Sequence, residues 1–231
     1  MKSPMDNSQQ AVALIKFFKQ KEHFLAFKAG TSLFRTPHYF RRLEDIGRGD
    51  SSESCLGYWD KELSDSIPNI VRDGQPIDLD EVQSILVYPA HEPKDAWLQS
   101  WCMIGPHNNF GQSLERMLDE FGAYFVVLPA RNINAYANLI SESCNEPVRY
   151  GVIRYSDNPL ARSLTVKDHG FSYQKEFRFY IGECDKNEVQ DRHIRLHGVN
   201  NLLLEAGSLR LESASGSVMY CTQGQTKVVY T

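Results

Sequence analysis

At 231 residues, with 42% apolar and 23% charged side chains, the chain is long enough for one domain with a substantial core and too apolar for a disordered segment. Its longest apolar run, Tyr124-Phe125-Val126-Val127-Leu128, is too short to cross a bilayer, and no secretory signal precedes the first apolar stretch. The net charge of −4 is uneven, because the first fifty residues carry nine Lys/Arg against five Asp/Glu and set a basic front on an acidic body.

Five cysteines (Cys55, Cys102, Cys144, Cys184 and Cys221) are odd in number, widely spaced and without a C-x-x-C pair. That pattern points to reduced thiols in a cytoplasmic protein and away from a disulfide framework or zinc site. His193 and His197 fall in a β-rich stretch, where i, i+4 side chains do not converge on a metal.

In chain order, residues 9–28 read as a helix. Ala11, Leu14, Ile15, Phe18, Phe24, Leu25 and Phe27 recur near a 3.6-residue period with lysines between them, and Gly30 supplies a stop. Residues 32–36 read as a short strand and 41–60 as a long polar loop. Strands are expected at 84–88 and 97–104, then a turn at 105–109, a helix at 112–121 and a strand at 123–128. A helix over 132–142 follows, with Asn132 and Asn134 suited to its cap. Strands at 148–155, 171–181, 193–196, 201–204, 208–212, 217–221 and 226–230 complete the chain. The expectation is a single α+β domain over 1–231, with an N-terminal helix region (1–30) before a β-rich core (31–231) of mixed or antiparallel strands.

Three strands carry polar residues that an ordinary core strand does not need. Arg35 follows Leu33-Phe34, and a guanidinium there must be paired. Ser100 lies in Trp97-Leu98-Gln99-Ser100-Trp101-Cys102. In Tyr173-Gln174-Lys175-Glu176-Phe177-Arg178, a two-residue period puts Gln174, Glu176 and Arg178 on one face and Lys175, Phe177 and Phe179 on the other. An amide, a carboxylate and a guanidinium in one stripe suit a cleft-lining strand. They equally suit a solvent-facing strand whose Glu176 and Arg178 pair with each other.

The order Arg35, then Gln99-Ser100-Trp101-Cys102, then Gln174-Lys175-Glu176 resembles the ADP-ribosyltransferases of the arginine–serine–glutamate class, with Cys102 in place of a second serine. The resemblance implies a split β-sheet holding NAD as substrate in a cleft. Arg35 would grip its phosphates, Ser100 would brace the nicotinamide side, and His38, Tyr39 and Tyr173 would contact the dinucleotide. Glu176 would stabilise the ribose as it becomes oxocarbenium-like, and Gln174 would orient the acceptor.

A second resemblance is to an uncharacterised bacterial domain family found near phage-defence and toxin–antitoxin genes. It rests on Tyr39, Arg41 or Arg42, Glu44, Arg48-Gly49-Asp50, Glu53, Ser100-Trp101, Lys167, Phe171, Tyr173, Glu176, Phe177 and Arg178. It implies a toxin or defence effector, a nucleic-acid or protein acceptor and an antitoxin partner, with Arg41, Arg48 and Arg178 meeting phosphates. Two other functions are open at this point. One is a metal-dependent nuclease using Asp50, Glu53 and Glu176 with Lys167; the other is a non-catalytic partner-binding module.

Overall fold

The computed structural model describes residues 12–43, 47–105, 110–212, 216 and 218–230. In chain order the elements are β1 (Ala13–Phe18), α1 (Lys21–Lys28), β2 (Thr31–Phe34), α2 (Pro37–Arg41), β3 (Gly57–Asp60), β4 (Val71–Arg72), β5 (Gln75–Pro76), β6 (Ser84–Val87), β7 (Asp95–Ile104) and α3 (Phe110–Phe121). They continue as β8 (Tyr124–Pro129), α4 (Ile133–Cys144), β9 (Val148–Val152), β10 (Arg154–Ser156), β11 (Val166–Asp168), β12 (Glu176–Cys184), β13 (Arg192–Arg195), β14 (Ser208–Glu212), β15 (Val218–Thr222) and β16 (Val229–Tyr230). The mixed α+β architecture agrees with the sequence reading. No helix of the described residues is long and apolar enough to cross a membrane.

The central sheet has the order β8-β1-β7-β12-β9, every neighbour antiparallel. One face carries Leu14, Trp101, Met103, Phe177, Phe179 and Ile181 against Phe27 of α1 and Tyr136 and Ile140 of α4. On that face Gln99 is buried with its amide satisfied: it donates to Ser32 Oγ at 2.6 Å and accepts from Tyr136 Oη at 2.6 Å and Trp101 Nε1 at 3.0 Å. The opposite face holds two separate apolar clusters. Ile15, Cys102, Leu114, Met117, Leu118 and Phe125 form one, and Ala96, Leu98, Ile153, Leu164 and Tyr180 the other. The polar site lies between them.

The largest correction is at the front. Residues 13–18 are a strand, not the first half of a helix, and only Lys21–Lys28 is helical; residues 9–11 lie outside the described residues. The apparent 3.6-residue period is overridden because β1 is bonded on both edges, over six residues to β8 and over Ala13–Ile15 to β7. Further differences are local. The loop expected over 41–60 holds the end of α2 and all of β3, and the strand expected at 201–204 is a 3-10 turn over Val199–Leu202. Asn132 makes no side-chain cap; its amide donates to Leu202 O at 2.8 Å instead. Most of the turn expected at 105–109 lies outside the described residues.

β7 is the strand on which the sheet divides. Its C-terminal half pairs with β1 up to Ile15–Cys102, whereas four residues earlier Leu98 bridges Arg35 at the end of β2. β2 is in turn zipped to β13 through Phe34–Arg192 to Thr31–Arg195. Between Leu98 and Cys102 the same edge of β7 carries no strand, and the sheet is split there.

Candidate functional site

The split opens into a cleft of about 630 Å³ whose lining includes Arg35, Ser100 and Glu176, together with Lys16, Arg48, Glu53, Lys167, Gln174 and Arg178. Arg35, Ser100 and Glu176 therefore meet at one place, from the end of β2, the middle of β7 and the first residue of β12. Register explains the meeting of the last two. Ser100 opposes Arg178 and Cys102 opposes Glu176 across β7 and β12, so all four side chains share the face turned to the cleft.

Ser100 Oγ donates to Glu176 Oε1 at 2.5 Å. The same carboxylate accepts from Arg178 Nε at 2.5 Å and Nη2 at 3.2 Å, and Lys167 Nζ stands 3.2 Å from its second oxygen. Burial alone would raise the Glu176 pKa. The charges of Arg178 and Lys167, with the hydrogen bonds of Arg178 and Ser100, outweigh that and hold it down at about 2. Arg178 also grips Glu53 with both terminal nitrogens, at 2.7 and 2.8 Å, and Nη1 donates to Leu164 O at 3.1 Å. All five of its N–H donors are thus used. Glu53 is held below the usual carboxylate range, burial again being overcome by Arg178 and Lys167. Two acids and two bases close on each other in a buried square.

Gln174 reaches the cluster by a route other than the one its spacing suggests. Residues 169–174 form a 3-10 turn, Lys175 sits at φ 45°, and β12 begins only at Glu176. The Gln174 amide nevertheless lies at the site, accepting from Lys167 Nζ at 3.1 Å and donating to Gly47 O at 2.7 Å. Asp50 is buried beside the square. Its Oδ1 accepts from Ser52 N at 3.0 Å, its Oδ2 has no hydrogen-bond partner among the described residues, and burial with the nearby Glu53 charge pushes its pKa up to about 6.

Other expected contacts fall elsewhere. Arg41 does not meet phosphates: its side chain is fully buried, paired with Asp95 at 2.5 Å and bonded to Glu53 O at 2.6 Å, so it shapes the loop that carries Glu53. Lys186 completes that second network, 2.7 Å from Asp95. His38 packs edge-on against Tyr58 behind Arg41, and burial and the Arg41 charge lower its pKa to about 4. Tyr39 lies under the Arg35 guanidinium at 3.9 Å and so supports a cleft residue. Tyr173 is turned to α3, its hydroxyl bonded to Glu120 and its ring 3.6 Å from Arg116. Arg178 lines the cleft but has no donor left for a phosphate. Arg48 lines it too. Glu44 lies outside the described residues.

Lys16 is the cleft residue that pattern reading missed. Its signal was a single lysine inside the apolar run Ala13-Leu14-Ile15-Lys16-Phe17-Phe18, masked by the helical period. Its Nζ donates to Ser100 O at 3.0 Å and lies 5.9 Å from the rings of Phe18 and Trp101. Burial and the Arg35 charge lower its pKa to about 8, against a smaller opposing pull from Glu176. Among the described residues no group of three or more His, Cys, Asp or Glu is arranged to hold a metal ion. Glu53, Ser100, Lys167, Glu176 and Arg178, scattered over 126 positions of sequence, form one contact network. No protein family model, curated protein or solved structure matches this chain, so the site stands on its own geometry.

Proposed function

We propose that the cleft binds NAD and transfers its ADP-ribose to a macromolecular acceptor. The observation that carries this reading is the convergence of Arg35, Ser100 and Glu176 on one cleft at a split in the sheet, with Ser100 bonded to the Glu176 carboxylate. The bond between ribose and nicotinamide breaks, nicotinamide leaves with the bonding electrons, and positive charge grows on the sugar. A carboxylate that stays ionised at any physiological pH is suited to that charge. Gln174 and Arg48 line the same cleft and in this reading meet the acceptor. A toxin or defence role, a nucleic-acid acceptor and an antitoxin partner belong to the same proposal and rest on the sequence resemblance alone.

The test is incubation of the full chain with NAD labelled in its adenylate phosphate, together with separate pools of RNA, DNA and protein. Label in one pool, lost with Glu176→Gln and with Arg35→Ala, supports transfer. Nicotinamide release without a labelled acceptor makes the chain an NAD hydrolase, and NAD left unchanged in the presence of all three pools overturns the reading.

The saturation of Arg178 favours a second reading, in which the square is a structural brace and the chain binds a partner without catalysis. Under it, Ser100→Ala leaves the biological effect intact. A metal-dependent nuclease is disfavoured, because Arg178 and Lys167 already occupy the carboxylates of Glu53 and Glu176 that a divalent ion would need.

A further inference from the structure

We infer that the split edge of β7 is a phosphate-binding subsite built from Lys16, the Ser100 N–H and Arg35, with Lys16 as the residue that sets its affinity for phosphate. The inference deepens the proposed function, and rests on that reading only for the identity of the molecule that brings the phosphate.

The backbone supplies the first donor. Even-numbered residues of β7 turn their N–H and C=O toward β1 and β2: Leu98 exchanges both bonds with Arg35 at 2.7 and 3.0 Å, and Ile104 O accepts from Val12 N at 2.8 Å. Met103, an odd residue, donates the other way, to Lys175 O at 2.8 Å. By this alternation Ser100 turns both groups into the split, where no strand of the described residues faces it. Its C=O is taken by Lys16, which leaves its N–H aimed at the cleft.

The two cations flank that N–H. Lys16 stands just past Ile15–Cys102, the last pair of β1 with β7, and Arg35 joins β7 at Leu98. Asp191 contacts Arg35 through Nε at 3.3 Å, and among the described residues no acceptor takes its two Nη groups, while the Tyr39 ring fixes the guanidinium plane from below. Lys16 is bonded to a carbonyl and not to a carboxylate, and Arg35 and Lys16 repel each other enough to destabilise the ammonium. An anion between them removes that repulsion. A guanidinium fork, a point charge and a peptide N–H approaching from separate directions suit the several oxygens of a phosphate better than the flat pair of a carboxylate.

The experiment follows Lys16 itself. The native chain is reductively methylated near neutral pH and the methylation rate of each lysine is read by mass spectrometry. The measurement is made with inorganic diphosphate, with NAD, and with sodium chloride at matched ionic strength. Diphosphate at saturation is expected to slow Lys16 at least about tenfold and to leave surface Lys94 unchanged. By calorimetry Lys16→Met is expected to weaken diphosphate at least about tenfold, and Lys16→Arg to retain it within a few fold. Equal rates for Lys16 in diphosphate and chloride overturn the subsite, whether or not the variants fold. Protection by NAD without protection by diphosphate also overturns it. Protection by diphosphate but not by NAD upholds the subsite and removes the dinucleotide reading.

Discussion

Arg178 holds both carboxylates of the site at once, gripping Glu53 through two nitrogens at 2.7 and 2.8 Å and Glu176 through Nε at 2.5 Å. The consequence is that Glu53, Glu176, Arg178 and Lys167 are balanced as a set, two charges of each sign in a buried volume. Removing one leaves a buried charge without its partner. Arg178→Met and Glu53→Gln should each lower unfolding free energy by about 3–5 kcal/mol, read from urea melts. The double variant Glu53→Leu/Arg178→Leu removes one charge of each sign and should cost less than Arg178→Met alone. A double variant less stable than the single would show that the grip, and not the balance, is what matters.

The same balance changes how Glu176 must be tested. Glu176→Gln leaves two cations facing one acid, so a stability loss of about 2–4 kcal/mol should accompany any loss of transfer. Ser100→Ala is the cleaner probe, since it removes one hydrogen bond and no charge. It should cost about 1–2 kcal/mol in a urea melt while lowering NAD-dependent labelling about ten- to a hundredfold, through loss of carboxylate positioning. Unchanged labelling in a folded Ser100→Ala protein would favour the structural reading of the network.

How much of this was legible in the sequence follows from what sets each feature. Alternation in Phe177 and Phe179, and the apolar runs of β7 and β8, are local signals of strands buried on at least one face, and they were read correctly. Arg35, Ser100 and Glu176 stood out because a polar side chain in such a strand needs a partner, but the partners Glu53 and Lys167 sit in loop and edge positions whose meeting depends on tertiary folding. Gln174 reached the site although its reason was wrong: the spacing suggested a strand face, and the backbone uses a 3-10 turn ending in left-handed Lys175. The burial of Arg41 is not legible because a charged residue beside a polar loop looks exposed, and its partners Asp95 and Lys186 O lie 54 and 145 positions away.

Asp50 gives a prediction with a definite sign in pH. Its folded pKa is raised from 3.8 to about 6 by burial and by Glu53, so the folded state takes up its proton more readily than the unfolded chain. The stability this contributes is fully present below about pH 4 and is lost as pH rises through about 6. Asn mimics the protonated form. Asp50→Asn should therefore match the parent near pH 4 and exceed it at pH 8 by about 1–3 kcal/mol, measured by urea melts across that range. A constant difference at all pH values would show that Asp50 does not titrate with folding.

The front of the chain offers the last test, of the strand that its own periodicity conceals. Gly122 follows α3 at φ +105°, and a Cβ there would lie 2.3 Å from Phe18 O and from the Cα of Lys19, at the end of β1. Neither backbone atom can move without disturbing the β1–β8 pairing, whose last pair is Phe18–Tyr124. Gly122→Ala therefore meets both a left-handed backbone and a main-chain collision, and should destabilise by more than about 2 kcal/mol in a urea melt. If residues 13–18 were helical in solution, that approach would not exist, and the substitution would cost only what the left-handed backbone exacts, about 1 kcal/mol. Amide exchange separates the two cases further. In the parent, Leu14 and Lys16 turn their N–H groups to β8 and should exchange slowly, whereas the eight-residue α1 should exchange faster toward its ends.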